Sequence, residues 1–149
     1  VSPAEPDPFH LDRFVRAQEP DYDRALKEIA GGRKRSHWMW YIFPQVAGLG
    51  LSSTSQRYAI GSLDEARAYL GHPILGSRLL ECAEATLNVK GRSAHDIFGS
   101  PDDMKLRSSA TLFALVSPDD SVFHRVLEKY FEGNRDKRTL DLVSRSVRL

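Results

Sequence analysis

Trp38-Met39-Trp40-Tyr41-Ile42-Phe43-Pro44, residues 38–44, is the stretch on which the fold class turns. The six apolar side chains before the proline have the compact, aromatic character of a buried strand. A lone strand has nothing to pair with, and no second run in the chain carries strand character. The stretch is therefore expected to be a short buried helix ended by Pro44, because proline disfavours helical geometry in the residue before it. On that reading the chain is all-α, a single compact multi-helical domain of seven to nine helices.

Directly upstream lie Gly31-Gly32-Arg33-Lys34-Arg35-Ser36-His37, so three consecutive cations, a hydroxyl and an imidazole adjoin both tryptophans of the chain. Aromatic rings bury large areas, while Arg33, Lys34 and Arg35 resist burial unless paired. The segment is expected to run from the surface into the core, where a binding site can form. Further upstream, Asp7 before Pro8 reads as a helix start, and Leu11, Phe14, Val15 and Gln18 follow at one-face helical spacing. A second helix from near Pro20 carries Tyr22, Ala25, Leu26 and Ile29 and stops at Gly31-Gly32. Residues 1–6, with three prolines among the first eight positions, read as a loose tail, and residues 7–149 as the domain.

Downstream, residues 47–53 form a glycine-rich loop. Ser62 with Glu65 and Ser93 with Asp96 are capping pairs, in which a hydroxyl accepts from an orphan amide and an acid complements the helix dipole. The repeated Ser-Pro-Asp-Asp at 100–103 and 117–120 is expected to open two more helices. A long helix is predicted from Pro73 to about Val89, and the last two over 119–131 and 139–147.

The 149 residues suffice for one domain with a proper core. Hydrophobic residues make up 41%, and 21 basic against 20 acidic side chains give a net charge of +1, so no global field draws nucleic acid and any basic patch is local. Cys82 is the single cysteine, which excludes an intramolecular disulfide and a thiolate zinc cluster and suits a reducing compartment. No apolar run reaches membrane-spanning length and no secretory pattern opens the chain, so the expected location is cytoplasmic with no membrane partner.

His37 is the first candidate for chemistry, as general acid, general base or donor to an anion; a core histidine bonded to a backbone carbonyl is the competing role. Ser36 fits the N-cap of the helix that follows. Trp38 and Trp40 point about 200° apart on a helix, so at most one can line a site while the other anchors the core. Lys34 is the preferred ligand-binding cation of its cluster. A second constellation is Lys105, Ser108, Ser109 and Leu112, spaced i, i+3, i+4 and i+7, which lays a cation and two hydroxyls along one stripe. Asp102 and Asp103 fit ordinary first-turn acids. There is no carboxylate pair for glycoside chemistry, no assignable Ser-His-Asp set and no metal-ligand spacing of histidines, so no metal is expected and no cofactor is named.

The motif Gly32-Arg33-Lys34-Arg35-Ser36-His37-Trp38-Met39-Trp40-Tyr41-Ile42-Phe43-Pro44-Gln45 resembles that of a bacterial family known as a domain of unknown function, members of which often carry the label calpastatin. Ser53–Ile60, Asp64–Leu70 with His72-Pro73, Leu75-Gly76, and Phe98-Gly99 through Lys105, Ser108-Ser109 and Thr111-Leu112-Phe113 follow that pattern in order, over roughly residues 7–142. Ala110 departs from a common methionine. The resemblance implies a multi-helical fold and no established activity. Calpain inhibition is not supported, because inhibitory segments of that kind are disordered until bound, whereas this chain carries enough apolar residues to fold alone.

Two functional readings follow. In the first, the 33–45 segment and the 102–113 helix share a site for a small anionic or phosphorylated ligand, formed by Lys34, His37, Trp38 or Trp40, Gln45, Lys105, Ser108 and Ser109. Any catalysis there falls to His37 as proton carrier and Lys105 as charge stabiliser. In the second, the chain is a helical protein-interaction module, with nucleic-acid binding by Arg33–Arg35 as a lesser variant. Substrate and oligomeric state are left open.

Overall fold

Trp38–Pro44 is helical and buried. In the structure, a computed structural model that describes residues 6–147 with side chains to Arg145, Met39–Ile42 form a short helix whose end at Phe43 adjoins buried Pro44. Ten helices occur among the described residues: α1 (Asp12–Gln18), α2 (Tyr22–Ala30), α3 (Met39–Ile42), α4 (Ser53–Arg57), α5 (Leu63–Gly71), α6 (Leu75–Asn88), α7 (Ala94–Phe98), α8 (Asp102–Ala114), α9 (Val122–Phe131) and α10 (Lys137–Val147). The all-α expectation holds, with one helix more than the upper bound of seven to nine. The surplus comes from one-turn pieces such as α4, where Ser52 Oγ accepts from Ser55 N at 3.1 Å. The β pairing among the described residues is a single parallel bridge between Val46 and Ile60, which closes the 47–59 excursion.

α8 is the central element. Leu106 and every residue from Ser108 to Ala114 are buried on it, and α5, α7, α9 and α10 all pack against it. A helix enclosed on most sides must place hydroxyls inside, and these turn back to their own backbone. Ser108 Oγ donates to Met104 O at 3.1 Å and Thr111 Oγ1 to Arg107 O at 2.8 Å, and Thr111 Oγ1 also accepts from Asp136 N at 3.0 Å, which ties the segment before α10 to α8. The aromatic cluster of Phe14, Tyr69, Phe113 and Phe123 ties α1, α5, α8 and α9 together through tilted and edge contacts. Cys82 is buried in α6, and that burial pushes its thiol up to about 12, in keeping with a packing role. Where α5 turns into α6, a Cβ on Gly76 would sit 2.1 Å from Leu70 O, so only glycine permits that approach.

Several sequence expectations are corrected. α1 begins at Asp12, later than Asp7, because His10 adopts a left-handed φ of 55° that no helix accommodates. The Asp7 carboxylate still accepts from the amides of Leu11 at 2.8 Å and Asp12 at 3.0 Å. The two Ser-Pro-Asp-Asp copies are used differently: Ser121, four residues after Ser117, caps α9, whereas α8 starts without a side-chain cap. Ser62 and Ser93 cap α5 and α7 as expected, the second in a complete capping box with Asp96. The tail read at residues 1–6 lies, apart from exposed Pro6, outside the described residues.

Candidate functional site

The loop of residues 33–38 between α2 and α3 has no regular structure of its own and is held by one carboxylate. Glu28 on α2 accepts from Arg35 N at 2.8 Å, Ser36 N at 3.0 Å and Trp38 Nε1 at 2.9 Å through Oε1, and from Ser36 Oγ at 2.7 Å through Oε2. Burial raises the carboxyl pKa, but these four donors outweigh it and hold Glu28 down to about 2. Ser36 therefore serves Glu28, and the N-cap role expected for it is not taken up: α3 has no side-chain cap. Trp38 is fully buried, with its ring edge-on to Phe98 of α7.

From this anchored loop Lys34 reaches α8. Its backbone N–H donates to Ile97 O at 2.6 Å, while Nζ meets Asp102 Oδ2 at 2.9 Å and donates to Ser36 O at 2.5 Å. The ammonium also lies 5.0 Å above the Trp38 ring, so a side chain only 7% exposed has three electrostatic partners. Asp102 Oδ1 faces Lys105 Nζ at 3.6 Å, and that second ammonium sits 5.3 Å above the Trp40 ring. One carboxylate is thus shared by two lysines. Asp102, read from the sequence as a plain first-turn acid, is the hinge between loop and helix.

These groups border a hollow of about 380 Å³, whose walls include Lys34, Arg35, His37, Trp40, Phe98, Pro101, Asp102 and Lys105. The tryptophan-bearing stretch and the lysine helix therefore do meet. The rest of the expected set divides. Trp38 lies behind the hollow in the core. Gln45 lines a separate, water-sized cavity with Gly48, Gly50, Ser55 and Tyr58 on another side of Trp40. Ser108 and Ser109 are buried on α8 and do not border the hollow. The reason lies in side-chain length and direction: Lys105 extends toward the N-terminal end of its helix and so reaches Asp102 and Trp40, while a serine hydroxyl stays on its own turn.

Over this geometry, likeness to known proteins can be assigned. The family described as Protein of unknown function (DUF1810) matches residues 8–143. The chain belongs to the DUF1810 family. A solved structure, that of the conserved hypothetical protein Rv1873 from Mycobacterium tuberculosis, is 51% identical and superposes with a TM-score of 0.91 over 93% of this chain and 99% of that one. Comparison with curated proteins gives no match. The DUF1810 fold is thereby shared with an experimentally determined structure, and neither description names an activity.

Sequence reasoning missed Arg35 and Glu28. Arg35 stood in the cationic triplet but was set aside in favour of Lys34. Glu28 sits on the polar side of an amphipathic helix, where nothing local signals that four donors ten residues or fewer downstream will converge on it. Asp102 had a visible signal in its i, i+3 spacing to Lys105. Among the described residues, no group of three or more His, Cys, Asp or Glu is placed to hold a metal ion. No helix there is long and apolar enough to cross a membrane.

Proposed function

We propose that the hollow between the 33–38 loop and α8 binds a small anionic ligand, preferably phosphorylated, and that the protein is a cytoplasmic binding domain built around it. The observation that carries this is charge: Lys34, Lys105 and Arg35 border one concavity in which Asp102 is the single carboxylate, with His37 beside them. An excess of cations in a concave, partly desolvated site concentrates field lines and favours an anion. Lys34 is spent on Asp102, Ser36 and Trp38, so Lys105, Arg35 and exposed His37 are the groups that would grip the ligand. A phosphate carrying about −1.5 to −2 charges matches that surplus. An anion that draws Lys105 off the indole would free the Trp40 face for a flat group. Any proton transfer would fall to His37, with Lys105 as charge stabiliser.

Thermal-shift titration with inorganic phosphate, sugar phosphates and nucleotides tests this: a saturable rise in melting temperature is expected in the wild type and not in Lys105→Ala. A concentration series that leaves the wild type unmoved would reject it.

One observation favours a second reading, a helical protein-interaction module. Leu51, at the tip of the 47–52 loop, is 86% exposed. Leu51→Ser would abolish partner capture under that reading and would leave anion binding untouched under the first. Calpain inhibition is part of neither proposal.

A further inference from the structure

Beyond the hollow, two neighbouring loops carry exposed cations that close no ion pair. Arg33, Arg35, Lys90 and Arg92 are all exposed, and among the described residues none of their charged heads forms an ion pair. They come from two loops that lie side by side. A Cβ on Gly32 would sit 3.1 Å from Arg92 Cδ and 3.2 Å from its Nε, so the Arg92 guanidinium crosses the chain directly before Arg33. Gly32 holds a left-handed φ of 80°, which steers the backbone into Arg33.

Two connections tie this corner to the hollow. Gly32 and Arg35 are three residues apart, about 10 Å of extended chain. Arg92 stands just before α7, whose five residues rise about 8 Å to Phe98 in the hollow wall. Nearby acceptors are already occupied. Lys129 Nζ meets the carbonyls at the end of α6, Leu87 O at 2.6 Å and Val89 O at 2.5 Å. Glu28 is saturated by its four donors, and one Asp96 oxygen accepts from Ser93 N at 3.0 Å while the carboxylate also feels Arg92. Four exposed cations in these two loops are thus set against the two carboxylates of Glu28 and Asp96; Arg35 borders the hollow, Arg33 is two residues before it, and the Arg92 side chain packs over Gly32 directly before Arg33.

We infer that the ligand of the hollow is a linear oligophosphate, or a compound ending in one, with its first phosphoryl group at Lys105 and Arg35 and the next ones on Arg33 and Arg92. This rests on the reading of the hollow as an anion site and adds the identity of the anion. A single phosphate engages only the groups of the hollow, whereas each added phosphoryl group carries the anion further toward Arg33 and Arg92, whose long side chains reach back along the loop. Planar guanidinium groups are suited to bind it through paired N–H donors. Magnesium is not needed for this contact, because the rim supplies the charge itself.

The test is isothermal titration of the protein with inorganic phosphate, pyrophosphate and tripolyphosphate in metal-free buffer at low salt, using wild type, Arg33→Ala/Arg92→Ala and Lys105→Ala. Affinity should rise about tenfold with each added phosphoryl group, as one charge-assisted contact is worth about that much. The double arginine variant should level the series while keeping the wild-type affinity for inorganic phosphate. Lys105→Ala should weaken all three. Equal affinities for the three anions in the wild type, or a rise that survives loss of both arginines, overturns the oligophosphate inference and leaves the hollow's reading standing. Failure of all three anions to bind the wild type removes both.

Discussion

Replacing Glu28 by glutamine should loosen the loop that carries Lys34, Arg35 and His37. In the native protein the carboxylate accepts four hydrogen bonds, two of them from consecutive backbone amides. A glutamine keeps one acceptor oxygen for the three N–H donors but turns an NH₂ toward Ser36 Oγ, which must reverse from donor to acceptor, and all four bonds lose their charge assistance, together about 1–3 kcal/mol. Glu28 is only part-buried, so solvent screening trims the gain its lowered pKa implies, and a total of about 2–3 kcal/mol is expected. For a chain of this size that is a drop in melting temperature of about 4–12 °C by calorimetry.

The pH dependence follows with a fixed sign. The folded carboxyl titrates at about 2 against an ordinary 4.5, so its contribution is fully present above pH 4.5 and is lost as pH falls from 4.5 through 2. The stability difference between wild type and Glu28→Gln should therefore shrink across that window and stay constant from pH 5 to 8. A variant melting within 2 °C of wild type at pH 7, or a difference that grows on acidification, would refute the role given to Glu28.

Asp102→Asn should act in two opposite directions, lowering stability by about 2 kcal/mol because buried Lys34 loses its counterion, and raising phosphate affinity about threefold to tenfold because the hollow loses its one negative charge. Chemical denaturation and a phosphate titration read the two effects separately. His37→Ala and Lys105→Ala should leave the melting temperature nearly unchanged while weakening anion binding; a loss of several kcal/mol in either would assign the residue to the scaffold instead. Gly76→Ala should cost about 3 kcal/mol, measured by denaturant unfolding, since the new methyl group meets a backbone carbonyl that cannot swing aside.

What was legible in the sequence follows from the range of the forces involved. α2, α5, α6 and α7 could be read because capping and amphipathic spacing act within a turn or two, and the helical state of Trp38–Phe43 followed by elimination of any strand partner. The start of α1 was displaced by the backbone geometry of one residue, His10, which no pattern announces. The hollow was located because cations and aromatics were crowded into one segment, yet its membership was half misjudged: helical spacing places Lys105, Ser108 and Ser109 on one stripe but says nothing of how far each side chain reaches. Contacts between Glu28 and the loop, or between Arg92 and Gly32, join residues through the tertiary fold and have no local signature.

The central claim is that the hollow receives a small anion through Lys105, Arg35 and His37. A ¹⁵N–¹H correlation titration with inorganic phosphate addresses it residue by residue. Saturable shifts confined to the amides of 34–40 and 98–105, absent in Lys105→Ala, are the expected result; shifts that never saturate or that scatter over the surface, and persist in that variant, would contradict it.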